Sequence, residues 1–354
     1  MRTGDNITLE HGTYVLGEQL GGSSYGIVWS AAGPGGTPAA VKLVNRAQME
    51  AARADERSRW IDSAHGEIAF LRALSPWDTR HIVRLLDAGT HEGLPALALE
   101  RLDGDLARHV ATERNAGRAL EFPLVLDWIG QVNQALAKVH QYGWRYLDLK
   151  PANLLLEQRR LKLADFGTNR ALADTAAHSY AGTANWQAPE QFFPTSQHTY
   201  VTDARTDYFA LGALFYFLVT GGLQLRFCTD CGAAYKDHRT GGAYVLLEQH
   251  GRATPPTLRD DEAALFMHRI DRQAQCGTSW VPAACAFTPA ACAALALLRA
   301  LLAPAPADRP RHALDISRRL AAIRRAWAAQ ESERSFFSSL RSPLAFERAL
   351  GGFA

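Results

Sequence analysis

Apolar and polar positions alternate with a period of two along residues 12–46, in the runs TYVLGEQL, YGIVWSAA and AAVKLV, with glycine and proline clusters between them. Successive side chains of a strand point to opposite faces, so the alternation predicts short strands joined by turns. From 48 to 74 the spacing turns helical and ends in EIAFLRAL; IVRLLDAGT and LPALALERL then supply two more strand candidates. Beyond 122 the chain reads as mainly helical, through FPLVLDWIGQVNQALAKVH, TDYFALGALFYFLV and AACAALALLRALL. The exception is LLLEQRRLKLADF, two short strands around a polar turn. The expectation is an α+β chain: a small antiparallel-sheet lobe with one main helix, then a larger helical lobe. A cleft at their join, near Glu100 to Gly104, is the natural binding place.

Composition narrows the setting. With 47% hydrophobic residues among 354, the chain has material for a real core. Its 38 basic and 36 acidic residues leave a net charge of +2, so no nucleic-acid partner is expected. Five cysteines, all after residue 227, are too few and too clustered for a disulfide framework. The opening MRTGDNITLEHG lacks the apolar segment of a signal peptide, and a reducing, cytoplasmic setting is expected. YFALGALFYFLV is short, and 281–307 is broken by prolines and carries Arg299, so both read as buried helices and no membrane span is expected. The tail RHALDISRRLAAIRRAWAAQESERSFF reads as a basic amphipathic helix, either packed on the second lobe or docking a partner or membrane surface.

Four groups of residues suggest chemistry. In LGGSSYGIVW, Gly21 and Gly26 flank a serine-rich turn whose backbone N–H groups can approach phosphate oxygens, although glycine pairs also mark ordinary hairpins. Lys42 ends an apolar strand, where a buried ammonium needs a partner. Glu67 fits that need, because Ile68 and Leu71 give its helix an inward register that Glu56 lacks. Asp148, Lys150 and Asn153 lie just ahead of a strand, placing a base, a cation and a neutral oxygen around one point. Asp165 follows the next strand, and with Asn153 it offers the oxygen ligands that suit Mg²⁺. In this arrangement Asp148 takes the proton of an attacking hydroxyl and Lys150 offsets charge on a transferred phosphoryl group.

Taken together, and in this order, the residues resemble the eukaryotic-type serine/threonine protein kinases found also in bacteria, from about Thr13 to Pro310. The resemblance implies a bilobal protein-kinase-like fold with an N-lobe over 12–101, a C-lobe over 102–320 and a helical tail over 321–354. A long insertion is expected around 222–285. Gly21, Ser23 and Gly26 align with the three glycine positions of the Gly-rich loop, Ser23 being a departure, and Val28 with its valine. Lys42 and Glu67 match the strand lysine and the helix glutamate. DLKPAN gives the catalytic Asp148, Lys150 and Asn153, and DFG is intact at Asp165 to Gly167. GTANWQAPE looks like the substrate-binding end of the activation segment, with Thr183 near Asp148 and Lys150, and Glu190 paired to Arg309. Asp207 matches the aspartate that supports the catalytic loop. The Glu100 carbonyl and the Leu102 backbone are expected at adenine, Asp105 near the ribose, Leu99 as gatekeeper, and Val28, Ala40 and Leu155 around the ring. ATP and Mg²⁺, or Mn²⁺ in its place, follow as cofactors, and a protein serine or threonine as acceptor.

Departures from the family carry their own expectations. Tyr146 stands where histidine packs under the DFG phenylalanine, a substitution an aromatic ring tolerates. Leu147 replaces the arginine that binds a phosphorylated activation segment, implying weak dependence or none on that phosphorylation. Thr175 and Ser179 are candidate autophosphorylation sites. Cys228 and Cys231 form a CxxC that reads as free buried thiols, as half a structural Zn²⁺ site completed by Cys276, Cys285 or His238, or as a redox pair. The insertion and the tail are the surfaces on which a partner would dock. A pseudokinase scaffold and a small-molecule kinase are the alternatives to protein phosphorylation.

Overall fold

The period-two runs become one antiparallel sheet. The computed structural model describes residues 1–23, 25–196, 199–275 and 287–340. In chain order β1 (Asn6–Thr8), β2 (Thr13–Gly22), β3 (Gly26–Ala32) and β4 (Pro38–Val44) precede α1 (Arg46–Ala51) and α2 (Ser58–Ala73). Strands β5 (Leu85–His91) and β6 (Leu94–Glu100) then complete a six-stranded sheet of order β1-β2-β3-β4-β6-β5. Alternation sorts its side chains. Ala39, Val41, Leu43, Ala96 and Ala98 join Ile7, Tyr14 and Leu16 in a separate apolar cluster on one face. The register pairs Val28 with Lys42, Lys42 with Leu97, and Ala40 with Leu99, so these residues share the other face, toward α2 and the cleft.

The second lobe begins with β7 (Gly104–Asp105), α3 (Leu106–Asn115), α4 (Phe122–Gln141) and β8 (Trp144–Arg145). Strands β9 (Leu154–Glu157) and β10 (Arg160–Leu163) pair with β7 in the order β10-β9-β7, and β11 (Arg170–Ala171) pairs with β8. Seven helices follow: α5 (Pro189–Phe192), α6 (Thr206–Val219), α7 (Arg226–His238), α8 (Gly242–Gln249), α9 (Asp260–Gln275), α10 (Pro289–Leu301) and α11 (Ala313–Leu340). Every residue of α6 except Phe217 is buried, as an apolar-all-round helix must be, and it forms the centre of the lobe. Among the described residues no helix is long and apolar enough to cross a membrane.

Two regions add detail to the sequence reading. The segment expected as an insertion holds α7, α8 and α9, and α7 lies directly on the turn at Ala184–Trp186, where Gly232 abuts Asn185. A single helix, α11, runs through the expected boundary at residue 320. Leu320, Ile323 and Trp327 are buried, the Trp327 ring sits 5.0 Å from Phe122, and Arg324 donates to the Leu126 carbonyl at 2.8 Å. The beginning of the basic helix is thus a packed part of the second lobe.

Arg309 ties this lobe together. Its guanidinium donates to both Glu190 oxygens, at 2.6 and 2.8 Å, and to the carbonyls of Ala303, Pro304 and Arg205, with no side-chain exposure. Removing one partner leaves a buried charge unpaired. Glu190→Ala is therefore expected to destabilise the chain by about 3–5 kcal/mol in urea unfolding; a loss below about 1 kcal/mol would show that the pair is solvated or dispensable.

Candidate active site

At the centre of the cleft a single ammonium meets two carboxylates. Lys42 Nζ donates to Glu67 Oε2 and to Asp165 Oδ1, each at 2.6 Å. Burial alone would lower the Lys42 pKa, but the carboxylates outweigh it and hold the lysine well above its usual range. Burial raises Glu67, against the pull of Lys42. Burial also pushes Asp165 up, but Lys42 reverses that and keeps it below the usual carboxylate range, hence ionised at neutral pH. The other Glu67 oxygen accepts the Phe166 N–H at 3.2 Å. Room for Lys42 depends on Gly26, where a Cβ would lie 2.9 Å from the lysine Cε. Ser23 closes the same turn: its N–H donates to the Gly26 carbonyl at 2.7 Å and its hydroxyl accepts the Gly26 N–H at 3.1 Å.

Across the cleft, Asp148 is the focus of a second network. Lys150 Nζ donates to Asp148 Oδ2 at 2.8 Å and to Thr183 Oγ1 at 2.7 Å, and the Thr183 hydroxyl donates to Asp148 Oδ1 at 2.6 Å. Asn153 Nδ2 donates to the Asp148 carbonyl at 2.9 Å and to its carboxylate at 3.1 Å. Burial raises the Asp148 pKa, with Lys150 and Thr183 opposing it. The loop carrying this group is clamped from below by Asp207, which accepts the N–H groups of Tyr146 and Leu147 at 2.8 and 2.7 Å and pairs with His140 at 2.8 Å. The clamp supports a left-handed backbone at Leu147, φ 67°. Gly182, φ 98°, brings the segment that carries Thr183 so close that a Cβ there would lie 2.7 Å from the Leu147 carbonyl.

The family profile described as "Protein kinase domain" matches residues 14–313. The chain belongs to the protein kinase family. Among curated relatives it is 27% identical over 256 residues to the serine/threonine-protein kinase PknF of Mycobacterium tuberculosis, covering 70% of this chain and 48% of that one. It is 34% identical over 153 residues to PknB of Mycolicibacterium smegmatis, covering 40% and 23%. It is 31% identical over 188 residues to MPS1 of Saccharomyces cerevisiae, covering 52% and 23%. The chain thus spans about half, or less, of the length of these relatives.

Within this kinase fold the predicted residues converge on the cleft unevenly. Val28, Ala40 and Leu99 lie on its sheet face, and Leu155 lies opposite on β9, paired with Asp105 and Lys162. Gly21 pairs with Val28 in open space. Glu100 ends β6 and Leu102 follows it, half-buried. The Glu100 side chain, which the sequence left without a task, accepts Lys162 Nζ at 2.7 Å and the Arg84 N–H at 2.9 Å, pinning the lobe connection to β10. Asp105, expected at the ribose, spends its carboxylate on capping α3: Oδ1 accepts the Arg108 N–H at 2.9 Å, and Oδ2 lies 3.2 Å from Arg108 Nε. Tyr146 packs edge-on against Phe166 with centroids 5.2 Å apart, and its hydroxyl bonds the Ala164 carbonyl.

Residues outside the motifs also reach the site. Ser63 on α2 donates to the Gly167 carbonyl at 2.7 Å, joining the helix to the DFG turn. Arg145, just ahead of the catalytic loop, is buried against the activation segment. Cys228 and Cys231 sit one turn apart on α7 in the apolar core, and burial pushes both thiols far up. Among the described residues no His, Cys, Asp or Glu joins them in a metal-sized cluster; Cys276 and Cys285, named as completing ligands, lie outside the described residues.

Gly26→Val is expected to displace Lys42 and lower kcat/KM for ATP by about a hundredfold, as misplacement of a positioning group does. Steady-state kinetics at varied ATP, with a melting curve as control, make the check; unchanged kinetics would mean that Lys42 moves aside without cost.

Proposed function

We propose that the chain is an ATP-dependent protein serine/threonine kinase that needs no activation-segment phosphorylation. The observation that carries this is the closed Asp148–Lys150–Thr183 triangle. Thr183 belongs to the segment that resembles the peptide-binding end of the family, so the acceptor-side segment is already seated on the base and cation. Asp148 accepts or orients the proton of the acceptor hydroxyl. Lys150 offsets charge as the phosphoryl group moves, and Lys42, held by Glu67, directs its charge toward the nucleotide phosphates.

The ionised Asp165 carboxylate and the Asn153 carboxamide are hard oxygen donors that fit Mg²⁺, or Mn²⁺ in its place. Bound there, the metal neutralises phosphate charge. The adenine is read between Val28, Ala40 and Leu155, with the Glu100 carbonyl and Leu102 backbone at its edge. Gly21, Ser23 and Gly26 cover the phosphates. Asp105 serves the ribose only if it leaves its cap on α3. A scaffold without catalysis would bind Mg·ATP and transfer nothing; the intact triangle argues against it.

Asp148→Asn is expected to lower phosphate transfer to serine and threonine peptides by about 10²- to 10⁴-fold with the melting temperature preserved. Undiminished incorporation of labelled phosphate would remove Asp148 from the chemistry. The acid limb of the pH–rate profile supplies a second check. Asp148 acts ionised, burial raises its pKa, and the Thr183 hydroxyl lowers it. Thr183→Val is therefore expected to move the acid limb to higher pH; movement to lower pH, or none, would contradict the assignment.

A further inference from the structure

Leu147 is buried and brings no cation to the activation segment, yet that segment follows a defined path from Arg170 to Thr183. Thr175 and Ser179 are exposed, and neither hydroxyl makes a hydrogen bond among the described residues. The contacts that fix the start of the segment come from elsewhere. Arg145, 1% exposed, donates through Nη1 to the Ala171 carbonyl at 3.1 Å and through Nη2 to the Asp174 carbonyl at 2.8 Å. Its Nε is buried with no hydrogen-bond partner among the described residues.

Strand pairing sharpens the problem. Arg145 lies directly opposite Arg170 in the β8–β11 ladder, and like charges at opposed positions repel. Nearby anions offset that repulsion: Asp174 foremost, then Asp207 and Asp203, act on Arg145. The Asp174 carboxylate bonds Arg170, and its other oxygen accepts the Ala176 N–H at 3.2 Å, which fixes its direction. Burial first, and Arg170 second, depress the Arg145 pKa, while the Asp174 charge draws it back up. Asp174 itself is held below the usual carboxylate range, first by Arg170 and then by the Ala176 N–H, so it is charged at neutral pH.

We propose that Arg145, Arg170 and Asp174 are positioning residues forming a built-in lock on the activation segment, with Asp174 as the resident anion and Arg145 as the cation that grips the chain. The lock rests on the reading of the chain as a kinase that needs no segment phosphorylation, and it names the residues responsible. It acts on the substrate side: the segment it starts ends in Thr183, which bonds Asp148, whereas among the described residues no hydrogen bond or ion pair links Asp174 to Lys42, Glu67 or Asp165.

The test uses the full chain, stripped of phosphate with a phosphatase that is then removed, and a degenerate serine/threonine peptide library as acceptor. Stripped wild type is expected to phosphorylate the library. Asp174→Ala is expected to lose about tenfold in kcat/KM for peptide, the scale of one charged hydrogen bond. The KM for ATP and the melting temperature stay put, and chymotrypsin cuts faster after Leu172 and Tyr180. Asp174→Glu, which restores the anion, is expected to recover most of the loss; a merely structural role would move ATP and peptide kinetics together. If Asp174→Ala matches wild type on peptide, or fails equally on ATP, the lock is wrong while phosphorylation independence stands. If stripped wild type is inactive, the reading beneath the lock fails instead.

Discussion

One buried ammonium decides whether this molecule has an active site. Lys42 on β4 is shared between Glu67 on α2 and Asp165 at the DFG turn, so three separate pieces of chain must meet at one point. None of the three charges is stable alone in that environment. A desolvated lysine without carboxylates loses its proton, and a desolvated carboxylate without the lysine gains one. The arrangement is therefore cooperative: α2 swung outward, or the DFG turn reversed, leaves at least one of them unpaired. Ser63 and the Phe166 N–H add neutral hydrogen bonds along the same joint, from α2 to the turn.

The second half of the site follows the same logic with a carboxylate at its centre. Asp207, fully buried on the central helix α6, organises the loop that bears Asp148 through two backbone N–H groups and His140. That support allows Leu147 its left-handed backbone and turns Asp148 toward Lys150 and Thr183. Order around Thr183 is thereby coupled to the core of the helical lobe, and α7 reinforces it from outside, where Tyr235 stacks on Tyr180 with ring centroids 4.6 Å apart.

The parts legible in the sequence are those whose geometry is local. Asp148, Lys150 and Asn153 lie on one short loop, and the apolar register of Ile68 and Leu71 announces the inward face of Glu67. What was hidden depends on pairings far apart in the chain. Nothing near Lys162 signals its bond to Glu100, because that bond joins two separate sheets, and nothing near Arg145 signals its burial under β11, which follows from strand register. Strand β1, at Asn6–Thr8, is too short for alternation to show. Asp105 shows a local signal of another kind: an aspartate directly ahead of LARHV is an ordinary helix cap, and its carboxylate caps α3 here. At the two departures, Tyr146 packs on Phe166 and bonds the Ala164 carbonyl, and buried Leu147 gives its N–H to Asp207.

The central claim is that the catalytic network stands assembled before any phosphate is added. The progress curve of freshly dephosphorylated chain, mixed with Mg·ATP and an acceptor peptide at several enzyme concentrations, tests it most directly. The account predicts product formation that is linear from mixing, with a rate proportional to enzyme. A lag that shortens as enzyme concentration rises, or no product at all while Mg·ATP binds, would contradict it.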